Sequence, residues 1–134
     1  MIYAELRYEN NYLKITNFVH HQKDIYYNTM FDLEVHSGDF CGIAPCEYCF
    51  AEFKKFIDSL DSIYQFKKTT AKLDEIGYGS KVIFQADKIG HIEVSGEIFG
   101  NGMIHGLKFS FNADQTVLGE FIKELRKLVD IYTD

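Results

Sequence analysis

The sequence has no tryptophan, one proline, and only 14 Lys and Arg residues against 20 Asp and Glu. The net charge of −6 argues against a general nucleic-acid binder, because phosphate contacts need clustered Lys and Arg. No stretch approaches the roughly 18 apolar residues of a membrane helix, and the first residues lack the features of a signal peptide. Three cysteines, an odd number, favour a reducing compartment. We therefore expect a cytoplasmic protein that binds neither nucleic acid nor membrane.

The composition is that of a folded, sheet-rich protein. Of the 134 residues, 46% are hydrophobic and 16% aromatic, with twelve Phe and nine Tyr. A chain of this length suits one domain and buries roughly two-thirds of the surface that its unfolded form exposes. We expect residues 1–134 to form a single domain.

The first third of the chain alternates apolar and polar residues, which is the period of a half-buried β-strand. The alternation predicts four strands, at about residues 2–8, 12–16, 31–35 and 40–48. Asn10-Asn11 and the segment 37–39 have turn chemistry. Residues 18–29 lose the alternation, and we interpret them as a longer excursion from the sheet.

The rest of the chain contains two helical segments and four more strands. Apolar residues at three- and four-residue spacing predict helices at about 50–64 and 115–131, with Asp114 as the N-cap of the second. Strands are predicted at about 70–76, 81–87, 92–98 and 107–111, the last two joined through Gly100-Asn101-Gly102. The order ββββ-α-ββββ-α indicates an α+β fold, with a largely antiparallel β-sheet and two amphipathic helices packed on one face.

The three cysteines form the pattern Cys41-x4-Cys46-x2-Cys49, and a C-x-x-C pair elsewhere binds metal or carries redox chemistry. A second pair of ligands is missing, and on a strand positions 46 and 49 would point to opposite faces. Free thiols that pack as small apolar groups are the alternative interpretation. A small metal-binding or redox enzyme or regulator that uses this cluster remains the second functional hypothesis.

The five histidines occur without a recognisable catalytic partner. The sequence contains no G-x-S-x-G, H-E-x-x-H, P-loop or G-x-G-x-x-G motif. We therefore expect no enzymatic activity, no catalytic residue, no cofactor and no metal site.

Carboxylates alternate out of two predicted strands, Asp32 and Glu34 in one and Glu93 and Glu97 in the other. If these strands share one sheet, the carboxylates form an acidic patch on its open face, which would attract a cationic partner. A solvated polar face that only keeps the protein soluble is the alternative. The candidate partner-binding residues are Asp32, Glu34, His36, His91, Glu93 and Glu97, with Tyr26 and Tyr27 of the excursion as the next candidates.

Two runs in the second half are distinctive, GHIEVSGEI at 90–98 and LKFSFNADQTVLGEFIKELRKLV at 107–129. Within the latter, the element D-Q-T-x-L opens the last helix. Upstream, Asp39-Phe40 and the later run CEYCFAEFKKFIDSLDSIY have the form of a strand that leads into an aromatic-rich helix. In these features the chain, over about residues 30–132, resembles the WapI family of bacterial immunity proteins.

The resemblance implies a cytosolic antidote rather than an enzyme. Members of the family accompany large secreted or wall-associated toxins of contact-dependent competition, and they bind and block the C-terminal toxin domain, which is often a nuclease. The expected partner is therefore a cognate toxin C-terminal domain. Asp114, Gln115 and Thr116 look structural in this setting, as a helix start. An acidic inhibitor is also complementary to the basic face of a nuclease.

Overall fold

The computed structural model describes residues 2–21 and 28–132, and within them the chain forms eight strands and two helices in the predicted order. The first four strands are β1 (Ala4–Tyr8), β2 (Asn11–His20), β3 (Thr29–Ser37) and β4 (Phe40–Tyr48). Helix α1 (Phe50–Tyr64) leads to β5 (Thr70–Asp74), β6 (Lys81–Ala86), β7 (His91–Phe99), β8 (Gly106–Asp114) and helix α2 (Gln115–Asp130). The α+β fold class predicted from the sequence is confirmed.

The strands form two antiparallel four-stranded sheets, β1-β2-β3-β4 and β5-β6-β7-β8. Each is a meander in which strands that are consecutive in sequence pair with one another. Strands β4 and β5, which are separated by α1, are not neighbours in either sheet. We call these the first sheet and the second sheet.

The excursion predicted for residues 18–29 is shorter than expected. Strand β2 continues through His20, and β3 already begins at Thr29. A register shift between Thr16 and Val19 breaks the apolar alternation there, because a bulge changes the face that each following residue occupies. Tyr26 and Tyr27, the two candidate anchors in this segment, lie outside the described residues.

The predicted pairing of β7 with β8 is confirmed, in a register that sets Ser95 opposite Ser110. The link between them is longer than a two-residue hairpin and contains a short 3-10 turn, Asn101–Met103. Gly102 adopts a φ of 79°, a conformation that glycine reaches without a steric penalty.

One apolar core receives side chains from both sheets and both helices. Aromatic rings follow one another through this core. The distances between successive ring centroids are 5.5 Å (Phe31–Phe53), 6.2 Å (Phe53–Phe56), 5.7 Å (Phe56–Phe84) and 6.3 Å (Phe84–Phe121). These five residues belong in turn to β3, α1, α1, β6 and α2. The polar faces of both sheets consequently point away from this core.

The D-Q-T segment joins the two helices. Asp114 caps α2 as predicted, since its carboxylate accepts a hydrogen bond from the Val117 N–H at 3.1 Å. The Gln115 side-chain amide donates to the Tyr64 carbonyl at the end of α1. A Cβ at Gly119 would lie 2.8 Å from the Tyr64 ring, so glycine permits the close approach of the helices. Asp114 thus caps α2, and Gln115 connects α2 to the end of α1.

Glu75 joins the two sheets through its buried carboxylate, which is only 5% exposed. It accepts hydrogen bonds from the backbone N–H groups of Glu47 at 2.9 Å, Gly77 at 2.7 Å and Tyr78 at 2.6 Å. Because Glu47 lies in β4 and the other two in the β5–β6 loop, one side chain connects both halves of the fold.

No helix among residues 2–21 and 28–132 is long and apolar enough to cross a membrane.

Candidate functional site

Strand β3 places Asp32, Glu34 and His36 on the open face of the first sheet. Phe31, Leu33 and Val35 alternate with them and are buried, whereas the three polar side chains are half-buried. The face that each of these residues occupies is therefore the one that the alternation indicates.

Tyr12 holds two of these side chains in place. Its hydroxyl donates to the Glu34 carboxylate at 2.5 Å, and its ring stacks on His36 with centroids 5.5 Å apart. The Arg7 guanidinium lies over the Tyr12 ring, 4.6 Å from its centroid. The hydrogen bond to Glu34 raises the pKa of Tyr12 to about 12. We call Arg7, Tyr12, Glu34 and His36 the Tyr12 cluster.

The carboxylates of the first sheet are thus engaged within the chain. Besides the bond from Tyr12 to Glu34, the Asn17 amide donates to Asp32 at 2.8 Å. Lys14 lies directly opposite Glu34 in the β2–β3 register. A partner that binds these carboxylates has to compete with internal contacts.

Strand β7 places His91, Glu93 and Glu97 on the open face of the second sheet, where all three are exposed. Glu97 lies between Lys81 and Lys108 on the two neighbouring strands. Glu93 lies between Gln85 and Asn112, which are both neutral. Asp32 also lies between uncharged residues, Thr16 and Pro45, but it accepts a hydrogen bond from Asn17, whereas Glu93 accepts none from the described residues.

The single acidic patch proposed from the sequence does not form. That patch required one shared sheet, but Asp32 and Glu34 belong to the first sheet and Glu93 and Glu97 to the second. Strand periodicity determines the face on which each residue lies, but it does not determine which sheet the strand belongs to. The second sheet also adds Lys81 and Lys108, which balance part of its negative charge.

A cleft of about 910 Å³ separates the hairpin turns of the first sheet from the open face of the second. The hairpin turns of the first sheet contribute one wall, which includes Tyr8, Glu9, Asn11, Ser37 and Gly38. The second sheet contributes the other wall, which includes Gln85, Asp87, His91, Glu93, Ser110 and Asn112. A neighbouring depression of about 810 Å³ continues along the second sheet past Ser95, Glu97 and Lys108. The two share Glu93 and Ser110, and we call them together the second-sheet groove.

Hydrogen bonds fix the turns that form one wall of this groove. The Asn11 side-chain oxygen accepts from the Gly38 N–H at 2.9 Å, and the Ser37 hydroxyl donates to the Ser110 carbonyl at 3.1 Å. Nδ1 of His36 lies 2.8 Å from the Asn10 carbonyl oxygen. Two hairpin tips and one strand of the opposite sheet are thereby held together.

Asp87 organises the turn at the other wall. Its carboxylate accepts from the backbone N–H groups of Ile89 at 2.9 Å and His91 at 3.0 Å, and it lies 3.2 Å from the His91 ring. The Ile89 N–H, together with the contacts to His91, lowers the pKa of Asp87. This carboxylate is therefore negatively charged at neutral pH.

The three cysteines do not converge. Cys41 is exposed on β4, Cys46 is 2% exposed in the core, and Cys49 is the N-cap residue of α1. Burial raises the pKa of the Cys46 thiol well above its usual range, so it remains a protonated apolar group. Among the described residues no three His, Cys, Asp or Glu side chains form a group that could hold a metal ion. This arrangement fits the interpretation of the cysteines as free thiols.

Sequence reasoning missed Tyr12, Glu9 and Asp87. The register of β2 against β3 brings Tyr12 beside His36, and no linear motif contains that register. Glu9 and Asp87 lie between strands, outside the segments in which apolar and polar residues alternate. A signal existed for Asp87 only, because D-K-I-G before a strand is turn chemistry.

The fold and its surface define a two-sheet α+β protein whose polar groups gather on open sheet faces and in a solvent-accessible groove. The model of the immunity protein WapI-like family matches residues 7–133, and the chain belongs to that family. No curated protein matches the sequence. Among solved structures, the chain is similar to one described as crystal structures of Trypanosoma bruciei MRP1/MRP2, with a TM-score of 0.51 and 8% identity over 91% of this chain and 75% of that one. At that identity the likeness shows the fold alone.

Proposed function

We propose that this protein is a cytosolic immunity protein that binds the C-terminal domain of its cognate toxin and blocks it by occlusion, without catalysis. The observation that carries the proposal is the family match over residues 7–133. The match extends over both sheets and both helices, so it supports a role for the whole fold rather than for a local motif.

The charge of the chain supports a basic partner. The net charge is −6, and a nuclease toxin that holds anionic RNA or DNA has a basic active face. Attraction between such surfaces speeds their encounter and disfavours wrong partners. Fast association is useful to an antidote, because the toxin remains active until it is bound.

The size of the molecule is sufficient for occlusion. A stable protein–protein interface takes roughly 800 Å² from each partner, about a tenth of the 7736 Å² that this chain exposes. Such an interface therefore needs only a small part of the surface of this chain. Stoichiometric binding then excludes the toxin's substrate without any reacting group on the antidote.

Co-expression tests the proposal in cells. The toxin domain encoded next to this gene is expressed from an inducible promoter, with and without this protein. We expect growth to be restored only by the folded antidote, and the two proteins to be recovered together from the lysate. A Leu125→Ala/Phe121→Ala variant, which removes core side chains, serves as the unfolded control. Unrelieved toxicity in the presence of soluble wild-type protein would contradict the proposal.

A further inference from the structure

We propose that the second-sheet groove is the docking site for a Lys- or Arg-bearing segment of the toxin domain. The inference rests on the proposed function and goes beyond it, because it selects one of two open sheet faces and states the chemistry of the occupant. Shape, charge and rigidity of the groove carry it independently.

The shape follows from the residues that succeed one another along the second sheet. Short side chains, Ser95 and Ser110, lie opposite each other on β7 and β8. The pairs on either side are longer, Glu93 with Asn112 and Glu97 with Lys108. On the β6 side Ser95 faces the longer Ile83, so the low part of the face lies over β7 and β8, where the depression of about 810 Å³ is found, and this shape suits a narrow loop or strand better than a flat surface.

The charge is negative at the end of the groove that lies beside the hairpin turns of the first sheet. Glu9, Asp87 and Glu93 line the cleft, and within the described part of the chain no Lys or Arg side chain does so. Clefts lined by one sign of charge focus the field and concentrate counter-charged groups. A Lys or Arg of the partner that enters there meets carboxylates from three separate turns and strands.

The charge changes along the groove. Farther along the second sheet, Lys81 and Lys108 flank Glu97, and Lys81 also lies 3.8 Å from the Asp74 carboxylate, so the charges at that end are balanced. A docked segment is therefore expected to carry its cations at the end beside Glu9, Asp87 and Glu93 and uncharged polar residues at the other end. This difference favours one direction of the segment, since the reverse orientation moves the cations from the carboxylates to the two lysines.

The groove is already formed in the free protein. The hydrogen bonds of Asn11 with Gly38 and of Ser37 with Ser110 hold its wall, and Asp87 holds its far turn. A site that needs no ordering on binding loses little conformational entropy. Asp87 accepts internal hydrogen bonds, as Asp32 and Glu34 of the first sheet do, but Glu9 and Glu93 accept none from the described residues and need not exchange one contact for another to bind a cation.

Charge reversal provides the first test, with Glu9→Lys/Glu93→Lys compared against the matched control Glu52→Lys/Glu120→Lys. Both doubles change the net charge equally, but Glu52 and Glu120 are exposed on α1 and α2. Association with the purified toxin domain is followed by stopped flow at low and at physiological salt. We expect about a tenfold slower association for the groove variant at low salt and little change for the control.

A steric variant tests the groove without altering charge. Ser95→Trp fills the low row of the second sheet, and Thr16→Trp places the same bulk opposite Asp32 on the first sheet. Circular dichroism and melting temperature verify that both fold. We expect Ser95→Trp to weaken binding by about tenfold or more and Thr16→Trp to leave it unchanged.

The outcomes separate the two proposals. If the wild-type protein binds the toxin and neither Ser95→Trp nor the groove charge reversal matters, the groove is not the docking site. Loss of binding in Thr16→Trp with normal binding in Ser95→Trp would place the interface on the first sheet. Absence of any binding by the wild-type protein would overturn the proposed function and this inference with it.

Discussion

Tyr12 connects three side chains on the open face of the first sheet through one ring and one hydroxyl. It stacks on His36, lies beneath Arg7 and donates to Glu34. Each contact joins neighbouring strands, so the cluster orders a surface that is otherwise open to water. Its rigidity explains why these side chains are less available to a partner than Glu93.

The Tyr12 hydroxyl is expected to ionise later than an ordinary tyrosine. The bond to Glu34 raises its pKa from 10.0 to about 12, because a phenolate beside a carboxylate is unfavourable. The stabilisation is thus present below pH 10 and is lost as the pH rises towards 12. In Glu34→Gln we expect the pKa to fall back towards 10, measured by NMR of tyrosine labelled at Cζ. Tyr12→Phe assigns the resonance, and an unchanged pKa in Glu34→Gln would contradict the role of this contact.

Glu75 is expected to contribute strongly to stability. Glu75→Ala leaves the N–H groups of Glu47, Gly77 and Tyr78 without their acceptor, and we expect the free energy of unfolding to fall by about 3 kcal/mol. Asp74→Ala removes an exposed carboxylate one residue earlier and should cost no more than about 0.5 kcal/mol. Urea denaturation of the two variants measures the difference, and equal losses would show that the Glu75 contacts are not stabilising.

At the scale of elements, α2 supplies one side of the core and is tied to α1 at its first turn. Phe121 and Leu125 are fully buried. Replacing either with Ala should lower the free energy of unfolding by about 2–5 kcal/mol, because each leaves a cavity among the surrounding rings. Lys123→Ala, on the exposed side of the same helix, is the control and should be close to neutral. Losses below 1 kcal/mol for both core variants would contradict this packing.

The three cysteines have different environments: one is exposed on β4, one is buried in the core, and one is the N-cap residue of α1. We expect them to be dispensable for folding. A Cys41→Ser/Cys46→Ala/Cys49→Ser variant should remain folded, with a slightly lower melting temperature caused by the smaller side chain at the buried position. The melting temperature of the wild-type protein should not change with EDTA. A chelator-sensitive transition would instead show that a metal binds the native state.

The helices, the strands and the α2 cap could be predicted from the sequence because each has a local signal. Helix α1, for example, carries an apolar residue at every turn, and β3 alternates without interruption. The division into two sheets could not be predicted, since alternation does not state which strands pair. The groove depends on that division, because it lies where the turns of one sheet meet the face of the other.

The individual contacts of the site were less predictable than the elements that hold them. Glu93 was identified from alternation alone, but its neutral neighbours are known only from the register with β6 and β8. Glu75 carried no signal, because a carboxylate after a strand is ordinarily a solvated turn residue. In each case a distant segment determines the role of the residue.

At the scale of the whole molecule, a single core supports two sheets whose polar faces point outwards. This architecture supplies extended recognition surfaces. The single domain predicted from the length of the chain stays a prediction that the shared core supports. The chain belongs to the immunity protein family, and under the proposed function its net charge of −6 favours a basic partner. Binding alone accounts for the proposed activity.

The most direct measurement of that activity is a titration of the purified toxin domain with this protein, followed by the toxin's residual activity on its own substrate. Occlusion without catalysis predicts a linear fall that ends when the two proteins are equimolar, with no further change over time. Full inhibition at a small fraction of equimolar protein would show turnover and contradict the account. Undiminished toxin activity at a large molar excess of the folded protein would contradict it as well.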